Sequence, residues 1–462
     1  MNFIGRDAEL NQLENLYKSP NFEFLVMYGR RRIGKTTILK KFAFNHKVLF
    51  FSAEEKNSAL NLSDFGEQIL SYYGETSGIK FPSWKSAFEY ISDHSKDDKT
   101  VIIIDEFPFI AKEEPSIKSI LQHIIDHKWQ EQNIMLVLCG SSVSFMVNEV
   151  MGYKSPLYGR KTSAMEIKPF DYTITAQYFP NYSPIERLIV YGILGGIPYY
   201  LQQFSDRLSI QENISNVIVS SHANLRDEPL TLLRAELREP MIYNSIIEAI
   251  ATGATKSGEI ASKINDTASK CSVYLSNLRE MRLIERITPC GEKESGKISI
   301  YRLADNFFAF WYKFLFSQKT KLELMESFDF SSLIVKNISD FMGIAFEKIC
   351  EQYIIKQAKI GNLPFIPSAL GKWWGNNPKL KKQDDIDILG IDGKQGIFCE
   401  CKFKEELFSL SDFNDLIAAS DIFTNVTERY YYVFVKSGYT QAVLDESKKY
   451  NVKLLTVNDL FN

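Results

Sequence analysis

The segment from Phe22 to Phe44 constrains this chain more than any other, running FEFLVMYG, then RRRIGKT, then TILKKFAF. The first stretch is mostly apolar and bounded by Gly29, as a buried strand is, and the apolar spacing of the last suits a helix. Between them, Gly29 and Gly34 permit backbone conformations that turn successive N–H groups toward one point. The N-terminus of the following helix adds partial positive charge at that point. A strand, a loop of pattern G-x-x-x-x-G-K-T and a helix together predict a phosphate-binding loop. Lys35 is placed to reach the β and γ phosphates of a nucleotide, and the Thr36 hydroxyl to ligate Mg²⁺. Arg30, Arg31, Arg32 and Ile33 complete the loop, and Thr37 follows at its edge as a helix residue. The expected ligands are ATP and Mg²⁺.

Two further strands fit the same sheet. VIIIDEFPFI from Val101 has four consecutive β-branched residues before Asp105 and Glu106, the continuous apolar run of a parallel strand buried on both faces. The carboxylates emerge at its C-terminal end. Asp105 is expected to hold the Mg²⁺ shell and Glu106 to orient or deprotonate the attacking water. IMLVLCGSS from Ile134 ends in Ser141 and Ser142, which read either as a γ-phosphate sensor or as an ordinary turn.

FIGRDAEL at Phe3, GRRRIGKT at Gly29, IIIDEF at Ile102, LYGR at Leu157 and GGIPYYL at Gly195 together resemble the archaeal-type ATPase family, a branch of the AAA-like signal-transduction (STAND) ATPases. The resemblance implies that Arg6 lies near the nucleotide, that Gly196 and Pro198 belong to a helical lid whose proline faces the base, and that Arg160 senses the γ-phosphate or is simply a surface arginine.

From about Met241 the pattern changes to three amphipathic helices with polar breaks, the third from about Ala268 to Met281, followed by LIERITP, the polar CGEKESGK and ISIYRLAD as a hairpin. This predicts a winged helix. Lys263, Lys270, Arg279, Arg282 and Arg286 are candidate phosphate contacts, but Glu259, Asp266, Glu280 and Glu285 are interleaved with them. DNA contact and packing against the nucleotide domain both stand as readings. NFFAFWYKFLF from Asn306 reads as a helix buried on most sides.

Near Ile338 a helix is predicted with Phe341, Ile344, Ala345, Ile349 and Tyr353 on its apolar face and Glu347 at the edge. A loop, LPFIPSALGKWWGNNP, leads to the hairpin DDIDILGI, DGKQ, GIFCECKF. A four-residue turn at Asp392 to Gln395 pairs Ile391 with Gly396 and sets Asp387 opposite Glu400, with Cβ atoms about 4.5–5.5 Å apart. Lys402 then shares their face with Asp385 across from it, while Ile386, Ile388, Cys399 and Cys401 face the core. Opposed carboxylates need a neutralising partner, which favours a shared metal ion. The pattern resembles the PD-(D/E)XK nucleases, without the usual proline before the first acid. The resemblance implies Mg²⁺ at Asp387 and Glu400, Lys402 acting on the water, and Glu347 completing the site from the helix. The other reading is a nuclease relic without activity.

The expected fold is therefore α/β: a P-loop NTPase parallel sheet over 1–175, a helical lid over 176–239, a winged helix over 240–305, an aromatic connector over 306–335 and a restriction-endonuclease-like α/β domain over 336–462. With 45% hydrophobic residues and a formal charge of −3, the chain can bury sizeable cores, and overall charge argues nothing about nucleic acid. Six cysteines without zinc spacing suit reduced thiols, and no segment looks long and apolar enough for a bilayer, so a cytoplasmic protein is expected. The function expected is an Mg²⁺-dependent ATP switch coupled to a nuclease-like domain acting on DNA, with homo-oligomerisation an open possibility. Two alternatives are an ATP-dependent DNA- or protein-binding regulator with an inactive last domain, and a scaffold that oligomerises on ATP.

Overall fold

The computed structural model describes residues 3–75, 78–95, 98–293, 298–377 and 381–461. The chain divides into two compact units, Met1–Pro169 and Phe170–Asn462.

The first unit is built on five parallel strands, β1 (Glu23–Tyr28), β2 (Val48–Ser52), β3 (Thr100–Asp105), β4 (Ile134–Gly140) and β5 (Ser163–Glu166), in the order β2-β3-β4-β1-β5. Every residue of β3 and β4 is buried. That explains why both read as unbroken apolar runs: helices cover both faces of a parallel sheet, leaving no solvated side to alternate with. Each buried Ile, Leu or Val contributes about 1.5–3 kcal/mol. β4 lies between β1 and β3, so the phosphate-loop strand and the acidic strand are not neighbours.

The second unit begins with helical segments, among them Pro184–Leu194, Pro198–Leu201 and Glu228–Glu236. Ser183 starts the first of these with a reciprocal capping box to Glu186, satisfying two N–H groups that the helix leaves unpaired. Helices Pro240–Ala251, Ser257–Lys263 and Ala268–Glu280 follow, then an antiparallel hairpin of β6 (Ile284–Ile287) and β7 (Ile300–Leu303). The polar turn expected between these strands falls partly on residues 294–297, which lie outside the described residues. Helix Asn306–Phe314 buries Phe307, Phe308, Phe310, Trp311, Tyr312 and Phe314, so its rings are core and offer no platform for stacking bases.

The last third is a mixed sheet of β8 (Ala369–Asn377), β9 (Lys382–Asp392), β10 (Gln395–Lys402), β11 (Glu428–Val435) and β12 (Val452–Thr456), ordered β12-β11-β10-β9-β8. β8, β9 and β10 are antiparallel neighbours, and β11 and β12 add in parallel. The helix Ile338–Lys359 packs on β9 and β10, and helix Leu410–Ser420 also packs on both strands.

Three expectations are corrected here. The stretch expected as a loop contains β8, an edge strand whose two tryptophans and two glycines disguised it. The hairpin turn is two residues, Gly393 and Lys394, because Asp392 already pairs with Gln395; the register Ile391 to Gly396 is as expected. The buried face of helix Ile338–Lys359 runs through Met342, Ala345, Phe346, Ile349, Cys350 and Tyr353, whereas Ile344 is 57% exposed. The stripe is rotated because Phe346 and Cys350 supply the contact expected of Ile344.

Candidate functional site

The loop after β1 is shaped by contacts no larger residue could make. A Cβ on Gly29 would lie 2.5 Å from the Ile167 carbonyl oxygen, and Gly34 has φ 93°, the left-handed region that favours glycine. Arg32 also has positive φ, 67°. Helix Lys35–Ala43 starts at Gly34 with no side chain capping it, which leaves its first N–H groups for an anion.

Lys35, 5% exposed, donates from Nζ to the carbonyls of Gly29 at 2.7 Å and Arg30 at 3.0 Å. The ammonium is thereby held in the mouth of the loop. Thr36 Oγ1 donates to Asp105 Oδ2 at 2.6 Å, reaching across the gap left by β4. The other Asp105 oxygen accepts from Glu106 N at 3.1 Å, so both oxygens of this buried carboxylate are fixed. Thr37 is exposed on the helix and Ile33 is fully buried.

Glu106 sits at φ 53° at the start of helix Phe107–Glu113. Its Oε2 accepts from Ser141 Oγ at 2.9 Å and from Ser141 N at 3.3 Å. Thus the end of β4 orients the end of β3, a link that sequence spacing did not reveal. Arg6 follows the same logic at the other side of the loop. Its guanidinium donates to the carbonyls of Ile33 at 3.2 Å and Lys168 at 2.8 Å and pairs with Glu9 at 2.9 Å, tying the N-terminal helix to the loop. Arg160 instead gives Nε and Nη2 to the two oxygens of Asp126, each at 2.7 Å. That fork pairs the guanidinium with a partner inside the first unit. Pro198 lies in the second unit, buried at the start of its own short helix.

A pair of oxygen donors 2.6 Å apart, an uncapped helix start and a glycine cradle fit Mg²⁺ and a phosphate chain. No other residue type at Gly29 would leave that cradle open.

The carboxylates of the last sheet form a second constellation, and here a β-bulge decides the geometry. Gly371 pairs with Leu389 but Trp373 pairs with Ile386, so Asp387 and Ile388 together oppose Lys372. Bulges re-aim side chains, and this one turns Asp387 toward Lys372. The Lys372 ammonium lies 3.1 Å from Asp387, 3.0 Å from Glu347 and 3.4 Å from Asp385. The other Asp387 oxygen accepts from Cys401 N at 2.9 Å. The β9–β10 ladder runs from Asp392–Gln395 to Ile388–Cys399, one step short of the expected pairing of Asp387 with Glu400. Glu400 pairs with Lys402 at 2.5 Å.

The expected face assignments change accordingly. Ile386 packs with Phe398 and Phe413, not on the side of Cys399 and Cys401, because Asp387 and Ile388 share one ladder step opposite Lys372 and the alternation slips by one residue. Asp385 answers Lys372 and not Lys402. Cys399 and Cys401 are buried core residues, as expected. Among the described residues, no three His, Cys, Asp or Glu side chains are grouped so as to hold a metal ion; Glu347, Asp387 and Glu400 are not a ready-made triad. Lys372 was invisible in the sequence, a single lysine in what read as a loop.

Burial, and next the charge of Asp387, pushes the Glu347 carboxyl up to about 7 and the Glu400 carboxyl up to about 7. For Lys372, burial pulls the other way, but Asp387 and Glu347 hold the ammonium above its usual range. Perturbed carboxyls gathered at one place suit a functional site.

Comparison with known proteins adds to this geometry. The family described as "ATPase domain predominantly from Archaea" matches residues 3–204, and one described as "Archaea bacterial proteins of unknown function" matches residues 311–414. An uncharacterized protein of Methanocaldococcus jannaschii, MJECL04, is 34% identical over 406 residues, covering 87% of this chain and 88% of that one. The chain belongs to the archaeal-type ATPase family. Its first unit is accordingly a P-loop ATPase domain. An uncharacterized ATP-binding protein of the same organism, MJ0423, is 41% identical over 46 residues, 10% of this chain and 78% of that one. The Walker-type ATPase PABY2304 of Pyrococcus abyssi shares the fold, with TM-score 0.50 at 20% identity over 67% of this chain and 96% of that one. No helix among the described residues is long and apolar enough to cross a membrane.

Proposed function

We propose that this archaeal-type ATPase is an ATP-driven switch that governs a nuclease-like domain acting on DNA. The observation that carries the ATP half is the 2.6 Å link between Thr36 and Asp105, which brings together an oxygen donor on the helix after β1 and one at the end of β3, strands that are not neighbours. Mg²⁺, when bound there, supplies charge neutralisation for the phosphates. Lys35 exchanges its two carbonyl partners for phosphate oxygens. The Gly29 to Thr36 backbone orients the chain of phosphates, and Glu106, aimed by Ser141, takes the proton of the attacking water.

Behind the second half stands the group of Glu347, Asp387, Glu400 and Lys402 on one sheet and its flanking helix, in the order helix, three antiparallel strands, helix, strand. In this reading Asp387 and Glu400, which Lys372 and Lys402 pair with in this structure, would have to regroup to hold Mg²⁺, with Lys402 positioning the water and Glu347 completing the site. Helices Pro240–Ala251 to Ala268–Glu280 with the β6–β7 hairpin act as a winged helix. Val273 is 60% exposed on the third helix, beside Lys270, and this surface is the one offered to DNA.

The position of Lys372 favours a second reading, in which an ammonium has replaced the metal ion and the last domain binds DNA or protein without cutting. Purified wild type, Lys35→Ala and Asp387→Ala decide between them through ATPase and Mn²⁺-dependent DNA cleavage. Cleavage lost in Asp387→Ala and altered in Lys35→Ala supports the switch. Absence of cleavage in wild type, with ATP-sensitive DNA binding, supports the second reading, and equal cleavage by all three overturns the first.

A further inference from the structure

The β6–β7 hairpin does more than finish the three-helix segment, because both of its strands reach the long helix that carries Glu347, and the chain just beyond β6 reaches the sheet that carries Asp387. Glu285 on β6 and Arg302 on β7 are directly opposed and paired at 2.7 Å. From that cross-strand pair each residue extends to the long helix Ile338–Lys359: Glu285 to Lys348 at 2.9 Å, Arg302 to Glu347 at 3.9 Å. Lys348 adds hydrogen bonds to the carbonyls of Leu303 and Ala304, both at 3.2 Å. Just beyond β6, Cys290 N donates to the Lys372 carbonyl at 2.8 Å and its thiol donates to the Leu389 carbonyl at 3.2 Å. These contacts enclose a cavity of about 260 Å³ whose walls include Thr288, Arg302, Lys348, Gly371, Lys372 and Asp387. It has room for several water molecules, not for a polymer strand.

We propose that this hairpin is an autoinhibitory strap that closes the carboxylate cluster, with the Glu285–Arg302 pair as its fastening to the long helix. The idea rests on reading that cluster as a site. In the closed state Arg302 and Lys372 supply the positive charge that Glu347 and Asp387 would otherwise draw from a cation, and the strap walls the cavity that these two carboxylates line. The strap is also wired to the three-helix segment: Tyr301 N donates to the Thr255 carbonyl at 2.8 Å and Lys256 Nζ to the Ile298 carbonyl at 3.3 Å. A polyanion that binds and shifts those helices therefore pulls directly on the strap.

Cys290 provides the readout, since it is half-buried with the strap docked, while Cys139, Cys271, Cys350, Cys399 and Cys401 are buried and serve as references for the integrity of the fold. Full-length wild type, Arg302→Ala and Lys348→Met are treated with iodoacetamide, and alkylation of each cysteine is followed by mass spectrometry. The expected result is a rise of about tenfold in the Cys290 rate in both variants, with the five references unchanged. A wild-type Cys290 rate in both variants overturns the strap. If one variant exposes the reference cysteines as well, its fold is damaged and the other decides. The same samples are then given Mn²⁺ and DNA. Faster cleavage by the variants supports the strap and the nuclease reading together. Fast Cys290 alkylation with no cleavage by any sample overturns the nuclease reading and leaves the strap standing.

Discussion

Ser141 donates its hydroxyl to Glu106 Oε2 at 2.9 Å and its amide to the same oxygen at 3.3 Å. The serine at the end of one strand thus fixes the acid at the end of the next. Replacing Ser141 by Ala leaves the amide contact but removes the shorter one. With Glu106 as the general base proposed above, we expect kcat for ATP hydrolysis to fall by roughly tenfold while KM changes less than about twofold, because loosening a base costs rate without costing binding. Steady-state ATPase assays check this; a KM effect with kcat intact points to Ser141 touching the nucleotide itself.

Thr36 and Asp105 make a prediction about stability as well as about activity. Thr36→Ala leaves a buried carboxylate oxygen without its hydroxyl donor, which costs about 1–3 kcal/mol, and removes a ligand from the ion site proposed above. Urea unfolding should show the loss, and nucleotide binding should lose its dependence on Mg²⁺. Thr36→Ser keeps the hydroxyl and is expected to restore both.

Arg160 separates a structural from a catalytic arginine. Its fork to Asp126 is partly exposed, with side chains 24% and 29% accessible, so Arg160→Ala is expected to cost about 1 kcal/mol or less and to leave kcat within about twofold. A hundredfold fall in kcat with unchanged unfolding would show that the guanidinium leaves Asp126 during turnover.

The raised carboxyls of Glu347 and Glu400 give the second unit a pH signature. Both bind a proton more tightly folded than unfolded, so the stability they contribute is complete below their ordinary value of 4.5 and is lost as pH rises through about 7. Thermal unfolding of wild type should therefore weaken between about pH 5 and pH 8. Asp387→Asn removes a charge that raises both groups and should flatten that slope, and Glu400→Gln should flatten it in part. A slope unchanged in Asp387→Asn contradicts the assignment.

How much of this was legible in the sequence follows from what each residue's neighbours are. β1, β3 and β4 announced themselves because a strand covered on both faces has nothing but apolar residues to offer. The Gly29 to Thr36 loop was legible because its backbone restricts two positions to glycine and its chemistry requires Lys35 and Thr36. β8 was not, since its Gly and Trp content matches that of a loop, and with β8 unseen Lys372 had no place. The β9–β10 register was read correctly as far as Ile388 opposite Cys399. Strict alternation then failed, because a bulge is a property of two strands at once and period-two reasoning looks at one. The tie from Ser141 to Glu106 joins residues 35 positions apart in sequence, and no local pattern encodes it.

The interposed strand β4 has a final consequence. It sets the lateral separation of the phosphate loop from the acidic strand at two strand spacings, about 9–10 Å. That width is fixed by main-chain hydrogen bonding and is indifferent to side-chain identity. Point substitutions within the sheet can weaken the frame but cannot retune its span, so any adjustment of the site falls to the residues just past the strand ends, Thr36 on its helix and Glu106 and Ser141 beyond β3 and β4.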